Sequence, residues 1–451
     1  MLFSAEDLIW PDRSLAPLYP LSLHKRFLCS GGIMAQASTL MRLLEWRPIA
    51  DAGDDQLYYT KAYIDDAVRA EYGLFLDNRA EFFQNLNGAI EEVSITYARS
   101  INGENRLRND VYNTDPLIIH GNGPSKLSLN RLANYIPDGW RPDHECPACV
   151  AKKQMPSGAD KVTIGVFVDG HTPFLSSMLN RLSSLDYDQQ HLSIFVYNNH
   201  ESNEPNIKDW LMRMRYHYHT VKVIGVEEKV KLTDAKKMAL NYAVEQEATY
   251  VFMIDGVVQF TNGGVLKELM SYKKDFAVPI MTRYGKLWSN FWGSVATDGY
   301  YARSDDYIDI VESKRRGVFN IPYANAAYLI HIDLARFILE SIPNGSPWIR
   351  GRFDADLAFA ANMRELGVFM FAINENYYGR LIDRDTMPEG KLHPELWMAE
   401  ANRADWEEQY LQPEYWTQLQ AEGQLEEPCP DVMTFQFLTQ KGLRIVSKSN
   451  S

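Results

Sequence analysis

Residues 162–168 read VTIGVFV, and this apolar run opens the stretch of sequence that decides the fold. β-branched and aromatic residues without polar alternation are typical of a strand buried on both faces. A helix is predicted over 174–185, where apolar residues recur at helical spacing. The same alternation continues downstream, with strands predicted at 192–197, 221–226 and 250–254 and a helix at 234–247. Strands that alternate with helices predict βαβ units and a mostly parallel sheet, so the fold class is α/β.

Polar residues follow two of these predicted strands. Asn198 and Asn199 come after the second strand, and Asp255 comes after the last. Ligands of open α/β sheets bind at the carboxyl ends of the strands. The sequence therefore predicts the ligand-binding edge of this sheet at these residues.

The segment 144–160 separates this region from the first part of the chain. It reads HECPACVAKKQMPSGAD, which is rich in Pro, Gly, Ser and charge and lacks apolar periodicity, as a linker does. We expect one domain before it, at 1–143, and another after it, at 161–390. Within the first domain, 117–120 (LIIH) is predicted as a strand and 54–66 as a helix with an acidic first turn.

Composition and charge limit the class of protein. The chain has 451 residues, 45% hydrophobic and 23% charged, which is enough for two or three globular domains. A formal charge of −13 argues against a nucleic-acid partner and suits a basic one, such as a lysine-rich substrate. No apolar run reaches the roughly 18 residues that predict a transmembrane segment. The first residues, MLFSAED, do not form a secretory signal peptide.

Cys146 and Cys149 form a CxxC motif within the predicted linker. Without a second pair they do not complete a zinc site, and they lie away from a strand–helix junction. A local disulfide, a redox pair and two free thiols are the open interpretations, of which the disulfide is favoured.

Two polar motifs are candidates for a catalytic site. His120 ends a predicted strand and is followed by Gly121, Asn122 and Gly123, which would let the backbone approach a bound metal and diphosphate; the alternative is a polar turn. Asp54 and Asp55 could orient a sugar hydroxyl or stabilise a cationic transition state. Their alternative role is to complement the dipole of the helix that they begin.

Two further patterns have mainly structural interpretations. The aromatic loop 288–293 (WSNFWG) could stack on a sugar, but packing against the sheet is favoured. His331 and Asp333, with His393 and Arg403 downstream, mimic the HxD…H triad and Arg of a non-haem iron oxygenase. A helical pattern lies between the two histidines where that fold needs strands, so we dismiss the triad.

Many motifs of the chain resemble procollagen lysyl hydroxylases, in the same order, from about residue 2 to about residue 432. They are LFSAEDLIWP, KRFLCSGG, DDQLYYTKAYID, FQNLNGA, LIIHGNGPSKLSLNRLANYIP, GKLWSNFWG, YYARSDDYIDIV, VFNIPY, YYGRL, LHPELW, DWEEQYL and EEPCPDV. The resemblance implies a GT-A-like glycosyltransferase domain, present in part, followed by a second GT-A-like (Rossmann-type) accessory domain. It also implies that 391–432 is a connector toward a dioxygenase domain, with 433–451 a divergent tail.

The resemblance implies roles for individual residues. His120 corresponds to a metal ligand, and Asn122 lies beside it as a catalytic-site residue. Asp54 and Asp55 correspond to catalytic residues on the acceptor side, and Trp10 to an acceptor-binding residue. The family's CxxC supports a disulfide between Cys146 and Cys149.

The family acts in the endoplasmic reticulum on procollagen, so the resemblance implies a hydroxylysine acceptor, a UDP-sugar donor and Mn²⁺. Fe²⁺, 2-oxoglutarate and ascorbate would be needed only with a C-terminal dioxygenase domain, which we do not expect in this chain. The family's Asp-x-x-Asp donor motif would lie before Met1, so we expect this chain to be inactive, or active only if the true start lies upstream. Cys29 stands where relatives usually carry Asn. The alternative is a non-catalytic remnant that binds collagen or forms a homodimer.

Overall fold

The chain forms two compact units. The computed structural model describes residues 1–98, 103–136, 139–142, 145–146, 156, 160–283 and 286–382, and the backbone of 434–439 and 442–446. The first unit comprises Met1–Ala151, Ser294–Ala302 and Arg315–Asn320. The second comprises Lys152–Gly293, Arg303–Lys314 and Ile321–Ser451.

Short strands and helices alternate irregularly in the amino-terminal region. Its elements are β1 (Leu2–Glu6), β2 (Phe27–Met34), α1 (Ala37–Leu44), α2 (Asp55–Ile64), α3 (Asp66–Tyr72), β3 (Phe75–Asp77), β4 (Phe83–Asn85), β5 (Val93–Thr96), β6 (Arg106–Asn109), β7 (Ile118–His120) and α4 (Lys126–Leu132). A three-stranded sheet has the order β2-β1-β3, with β1 antiparallel to β2 and parallel to β3. Strand β4 pairs in parallel with β7.

The first-unit core lies between the three-stranded sheet and α2. Phe3 and Leu28 from the sheet and Ala62 of the helix are fully buried, and Tyr58 of the helix is buried beside them. The helix predicted over 54–66 is found as α2, but it ends at Ile64, and a second helix follows. The break occurs because Asp65 takes an extended conformation and accepts hydrogen bonds from the first backbone amides of α3.

Regular α/β alternation begins at residue 162. The elements are β8 (Val162–Val168), α5 (Leu175–Ser183), β9 (Leu192–Asn198), α6 (Glu204–Met214), β10 (Thr220–Ile224), α7 (Leu232–Glu245), β11 (Tyr250–Asp255), β12 (Val258–Phe260), α8 (Val265–Ser271), β13 (Phe276–Pro279), β14 (Thr282–Arg283), β15 (Phe291–Trp292), β16 (Ser294–Val295), β17 (Tyr301–Ala302), α9 (Tyr307–Val311), β18 (Val318–Ile321), β19 (Tyr323–Ala324), β20 (Ala327–His331), α10 (Ile332–Ser341), α11 (Ala355–Glu365), β21 (Met370–Ile373), β22 (Gly379–Leu381), β23 (Thr434–Thr439) and β24 (Gly442–Val446).

The main sheet of the second unit has the order β10-β9-β8-β11-β20-β13-β21. Strands β8 to β11 are parallel neighbours, as the sequence predicts, and every residue of β8 is buried. The α/β prediction is therefore confirmed. One central strand departs from the parallel pattern, because β20 runs antiparallel to both β11 and β13.

The reversal of β20 follows from where the chain enters the sheet. The carbonyl of Ala326, just before β20, accepts a hydrogen bond from the amide of Asp255 at the end of β11. The chain thus starts β20 at the carboxyl edge of the parallel strands and must run back across the sheet. The same edge carries Asn198 and Asp255, where the sequence predicts ligand binding. No helix within the described residues is long and apolar enough to cross a membrane.

Candidate functional site

A buried carboxyl group organises the polar residues of the first unit. Glu6 ends β1, and only 2% of the residue is exposed. Its Oε1 accepts a hydrogen bond from Gln56 Nε2 at 2.9 Å, and its Oε2 accepts one from Asn122 Nδ2 at 3.3 Å. Burial raises the pKa of Glu6 above its ordinary value, against the opposing effect of these two hydrogen bonds. Glu6 therefore joins the end of β1, the first turn of α2 and the loop after β7.

Gln56 extends the network to Trp10. Its Nε2 donates to the backbone carbonyl of Trp10 at 3.3 Å, and its Oε1 accepts from the amide of Ser30 at 3.3 Å. The carbonyl of Trp10 is thereby held, while 63% of the residue stays exposed. An exposed indole beside a buried polar network is available to stack on a ligand.

His120 ends β7 and lies against Gly31 of β2. A Cβ atom added at Gly31 would lie 2.2 Å from His120 Nε2, so the glycine leaves room for the imidazole ring. Burial lowers the pKa of His120, and the nearby charge of Lys126 lowers it further. The neutral imidazole favoured by these effects can offer a nitrogen lone pair to a metal ion.

Asp54 and Asp55 are exposed at the start of α2. Asp54 Oδ1 accepts a hydrogen bond from the amide of Leu57 at 2.7 Å, which caps the helix. This contact agrees with the alternative interpretation of the pair as a complement to the helix end. It does not test a catalytic role, which stays a prediction. The next residue, Gln56, connects the pair to Glu6.

The sequence interpretation missed Glu6 and Gln56. The available signal was weak: Glu6 is an acidic residue at the end of a short strand-like run, LFSAE. It also missed Lys25, whose buried ammonium lies 3.0 Å from Asp7 and 2.8 Å from Glu92. These partners are far apart along the chain, so a local pattern does not reveal them.

The resemblance implies a metal site in the first unit. Among the residues that the structure describes, no three or more His, Cys, Asp or Glu side chains converge to hold a metal ion. His120 can act as one ligand, but a hard cation such as Mn²⁺ needs several oxygen or nitrogen ligands. The described residues therefore do not fit a complete Mn²⁺ site.

The cysteines divide into bonded and free groups. Cys146 is buried and disulfide-bonded, whereas Cys149 lies outside the described residues, so their pairing stays a prediction. Cys29 is a free, buried thiol in β2. Burial raises its pKa to about 11, and the nearby carboxyl of Glu6 adds to the shift.

The aromatic loop 288–293 and the pair His331 and Asp333, which the sequence analysis interprets as structural, lie in the second unit. In the loop 288–293, Phe291 is fully buried and Trp292 stacks on Tyr323, whereas 61% of Trp288 is exposed. His331 precedes α10, and its Nδ1 accepts a hydrogen bond from the amide of Asp333 at 3.4 Å. His331 thus caps a helix, while His393 and Arg403 lie outside the described residues.

Comparison with protein families matches most of the chain. The family model described as "PLOD GT domain" matches residues 1–146. The model "Glycosyltransferase family 25, N-terminal domain" matches residues 159–390, which is about half of the chain. Both descriptions agree with the predicted order of two glycosyltransferase-type α/β domains.

Two solved structures are similar at low identity. The mannosyltransferase PcManGT from Pyrobaculum calidifontis, in complex with GDP-Man and Mn²⁺, is 14% identical with a TM-score of 0.37, covering 58% of this chain and 67% of its own. S. aureus TarS is 14% identical with a TM-score of 0.33, covering 49% and 36%. Because both TM-scores are below 0.5, nothing about this chain is inferred from them.

Curated relatives match at much higher identity. "Multifunctional procollagen lysine hydroxylase and glycosyltransferase LH3" of Rattus norvegicus is 39% identical over 446 residues, covering 98% of this chain and 59% of that protein. "Procollagen-lysine,2-oxoglutarate 5-dioxygenase 2" of Mus musculus is 37% identical and "Procollagen-lysine,2-oxoglutarate 5-dioxygenase 1" of Homo sapiens is 39% identical, each with 60% of its length covered. The chain thus spans about 60% of the length of these relatives. It belongs to the procollagen lysyl hydroxylase family, with a PLOD glycosyltransferase domain followed by a domain of the glycosyltransferase family 25 type.

Proposed function

We propose that the first unit takes part in the transfer of a sugar from a UDP-sugar to hydroxylysine of procollagen, in the endoplasmic reticulum. The observation that carries the proposal is the hydrogen-bonded network of Glu6, Gln56 and Asn122. It gathers a strand end, a helix start and the loop after His120 around one buried carboxyl group. Relatives named for lysine hydroxylation and glycosyl transfer support the choice of acceptor.

Each residue of the network has a distinct part in this proposal. Glu6 is a positioning residue, since it is buried and holds the amides of Gln56 and Asn122. Asn122 binds substrate; its Oδ1 is buried and accepts no hydrogen bond from the described residues, so it can receive a substrate hydroxyl. Trp10 stacks on the acceptor with its exposed indole.

Asp54 and Asp55 serve the acceptor. Their exposed carboxylates attract the amino group of hydroxylysine, and either can take up the proton that its hydroxyl group releases during transfer. The acidic first turn of α2 thereby places the acceptor oxygen next to the network that starts at Gln56. The chain's formal charge of −13 also favours a lysine-rich substrate.

Mn²⁺ would supply Lewis-acid stabilisation of the departing diphosphate when bound. Because the described residues offer His120 but not a full set of ligands, no catalytic step is assigned to the metal. The same observation favours a second candidate function: a non-catalytic protein that binds collagen or forms a homodimer.

A glycosyltransferase assay of the full chain separates the two functions. UDP-galactose or UDP-glucose is supplied with Mn²⁺ and a hydroxylysine-containing collagen peptide, and released UDP is measured. Asp54→Asn and Asp55→Asn should lower turnover by about 10²-fold, which is within the range for loss of a proton-transfer group. Asn is as good a helix cap as Asp, so the folded helix is retained.

Asp65→Asn is the matched control, because Asp65 caps α3 as Asp54 caps α2. Turnover that is equal in all three variants and the unmodified chain would contradict the proposed roles of Asp54 and Asp55. Peptide binding without turnover, measured by calorimetry, would instead support the non-catalytic function. Light scattering then distinguishes a collagen-binding monomer from a homodimer.

A further inference from the structure

A cavity of about 360 Å³ lies in the second unit, at the carboxyl edge of its parallel strands. Phe167 and Asp169 line it at the end of β8, and Asp255 lines it at the end of β11. Trp288 and Trp292 also line it. Its volume is at the lower end of the range of about 300–1,000 Å³ that holds small ligands. The cavity therefore fits a ligand of the size of a monosaccharide.

Aromatic rings form one wall of the cavity. Trp292 and Tyr323 are paired across the β15–β19 ladder, and their rings stack with centroids 3.9 Å apart and planes 19° apart. Trp288 lines the same cavity and is 61% exposed. The electron-rich faces of such rings attract the weakly positive C–H groups of a pyranose face. A wall of this type suits a sugar better than a flexible apolar chain.

A buried ion-pair cluster also lines the cavity. Lys236 Nζ lies 3.5 Å from Asp255 Oδ1 and 3.1 Å from Asp356 Oδ1, and its side chain is 2% exposed. The two carboxylates keep exposed fractions of 26% and 23%. Asn325 also lines the cavity, and its buried Oδ1 accepts no hydrogen bond from the described residues. These oxygens can accept hydrogen bonds from sugar hydroxyl groups.

The charges at this cavity disfavour a nucleoside diphosphate. Among the described lining residues, Lys236 and Arg283 are cationic, while Asp169, Asp255 and Asp356 are anionic, a formal net charge of −1. The Lys236 ammonium lies 3.5 Å from Asp255 and 3.1 Å from Asp356, so it is already paired with two of the carboxylates. A multiply charged diphosphate would thus meet a site whose net charge is negative. An uncharged sugar does not have this penalty.

We propose that this cavity of the second unit binds an uncharged hexopyranosyl group without a metal ion. The aromatic wall holds one face of the ring, and the oxygens of Asp255, Asp356 and Asn325 accept hydrogen bonds from its hydroxyl groups. The site is separate from the transferase residues of the first unit and does not depend on the function proposed for them. Its ligand is a sugar that is free or carried on a peptide, since both present the same ring.

Saturation-transfer NMR of the full chain tests the proposal, with EDTA present throughout. The probes are methyl β-galactopyranoside and methyl α-glucopyranoside for a free sugar, and galactosyl-hydroxylysine for a peptide-borne one. We expect at least one probe to receive saturation and Trp288→Ala to weaken its binding about tenfold or more. Tyr216→Ala, which removes an 85% exposed aromatic residue that does not line this cavity, is the matched control and should leave binding unchanged.

Other outcomes would overturn the proposal. The first is a lack of saturation transfer to all three probes at millimolar concentration. The second is sugar binding that Trp288→Ala leaves unchanged. The third is sugar binding that Trp10→Ala abolishes and Trp288→Ala does not. The last outcome would place the sugar in the first unit. A stronger signal for galactosyl-hydroxylysine than for the methyl glycosides would identify the peptide-borne sugar as the ligand. Because Trp288 is exposed, its removal should leave the fold intact. An unchanged melting temperature of Trp288→Ala would verify this.

Discussion

Replacement of Lys236 by Met should destabilise the second unit strongly. The substitution keeps much of the side-chain volume but removes an ammonium group that lies 3.1 and 3.5 Å from two carboxylates. At an effective dielectric constant of about 20, each pair attracts with about 5 kcal/mol, which offsets the unfavourable burial of the charges. Loss of one partner from a buried pair typically costs about 3–5 kcal/mol, and here it would remove the cation from two carboxylates that are 26% and 23% exposed.

The same contacts set the pH dependence of stability. Burial opposes the charged form of Lys236, but Asp255 and Asp356 outweigh it and raise its pKa well above the ordinary value. The stabilisation is therefore complete below the pKa of an unfolded lysine and is lost as the pH rises through the higher folded-state pKa. In Lys236→Met this contribution is absent, so the loss of stability at alkaline pH should be smaller than in the unmodified chain.

Differential scanning calorimetry of the full chain measures the effect. One kcal/mol shifts the melting temperature of a unit of this size by about 2–4 °C, so a decrease of roughly 10 °C is expected. Lys208→Met is the matched control, because Lys208 forms an exposed pair with Glu204 on α6 and should leave the transition almost unchanged. A decrease below about 2 °C for Lys236→Met would refute the inference that this buried cluster stabilises the unit.

Three further predictions concern the first unit. Gly31→Ala should displace the His120 ring, since the new Cβ would lie 2.2 Å from Nε2. Changed NMR shifts of the His120 imidazole in a folded variant would show this displacement, and unchanged shifts would contradict it. Lys126→Gln should raise the pKa of His120 while leaving it below its ordinary value, because burial remains the larger cause; an NMR titration checks both. With a folded-state pKa below the unfolded one, His120 should also reduce stability as the pH falls below about 6.5. Cys29 should react slowly with iodoacetamide at pH 8 in the folded chain, because its thiol is buried with a pKa of about 11, and rapidly in urea. Site-resolved mass spectrometry would measure both rates.

The α/β region could be predicted because its signals are local. The run 162–168 is found as β8 with the predicted bounds, and the run 250–254 as β11 with one added residue. Buried parallel strands need unbroken apolar runs, which a short window of sequence reveals. The direction of β20 could not be predicted in this way, since AYLIH reads as a buried strand in either orientation. Its direction depends on where the preceding chain, at Ala326, is held.

In the candidate site, too, residues in a local motif could be predicted and residues defined by distant contacts could not. His120 and Asn122 belong to one short motif and could be identified from it, whereas Glu6 was missed although it is the residue that binds Asn122. In the aromatic loop, composition alone does not separate Trp292, which stacks on Tyr323, from the exposed Trp288. Packing depends on partners that are distant in sequence, so its outcome differs between neighbouring residues of the same type.

The sequence by itself determined the α/β pattern and the family. Both are recognised from short segments of sequence, without knowledge of which distant residues contact them. Only the tertiary structure decided which polar groups meet. Residues 6, 56 and 122 converge in the first unit, and residues 236, 255 and 356 in the second. The physical reason is that parallel strands and helix ends bring residues from distant parts of the chain to one edge of a sheet. Once they are buried there, ionic and polar groups are stable only with partners, and folding chooses those partners.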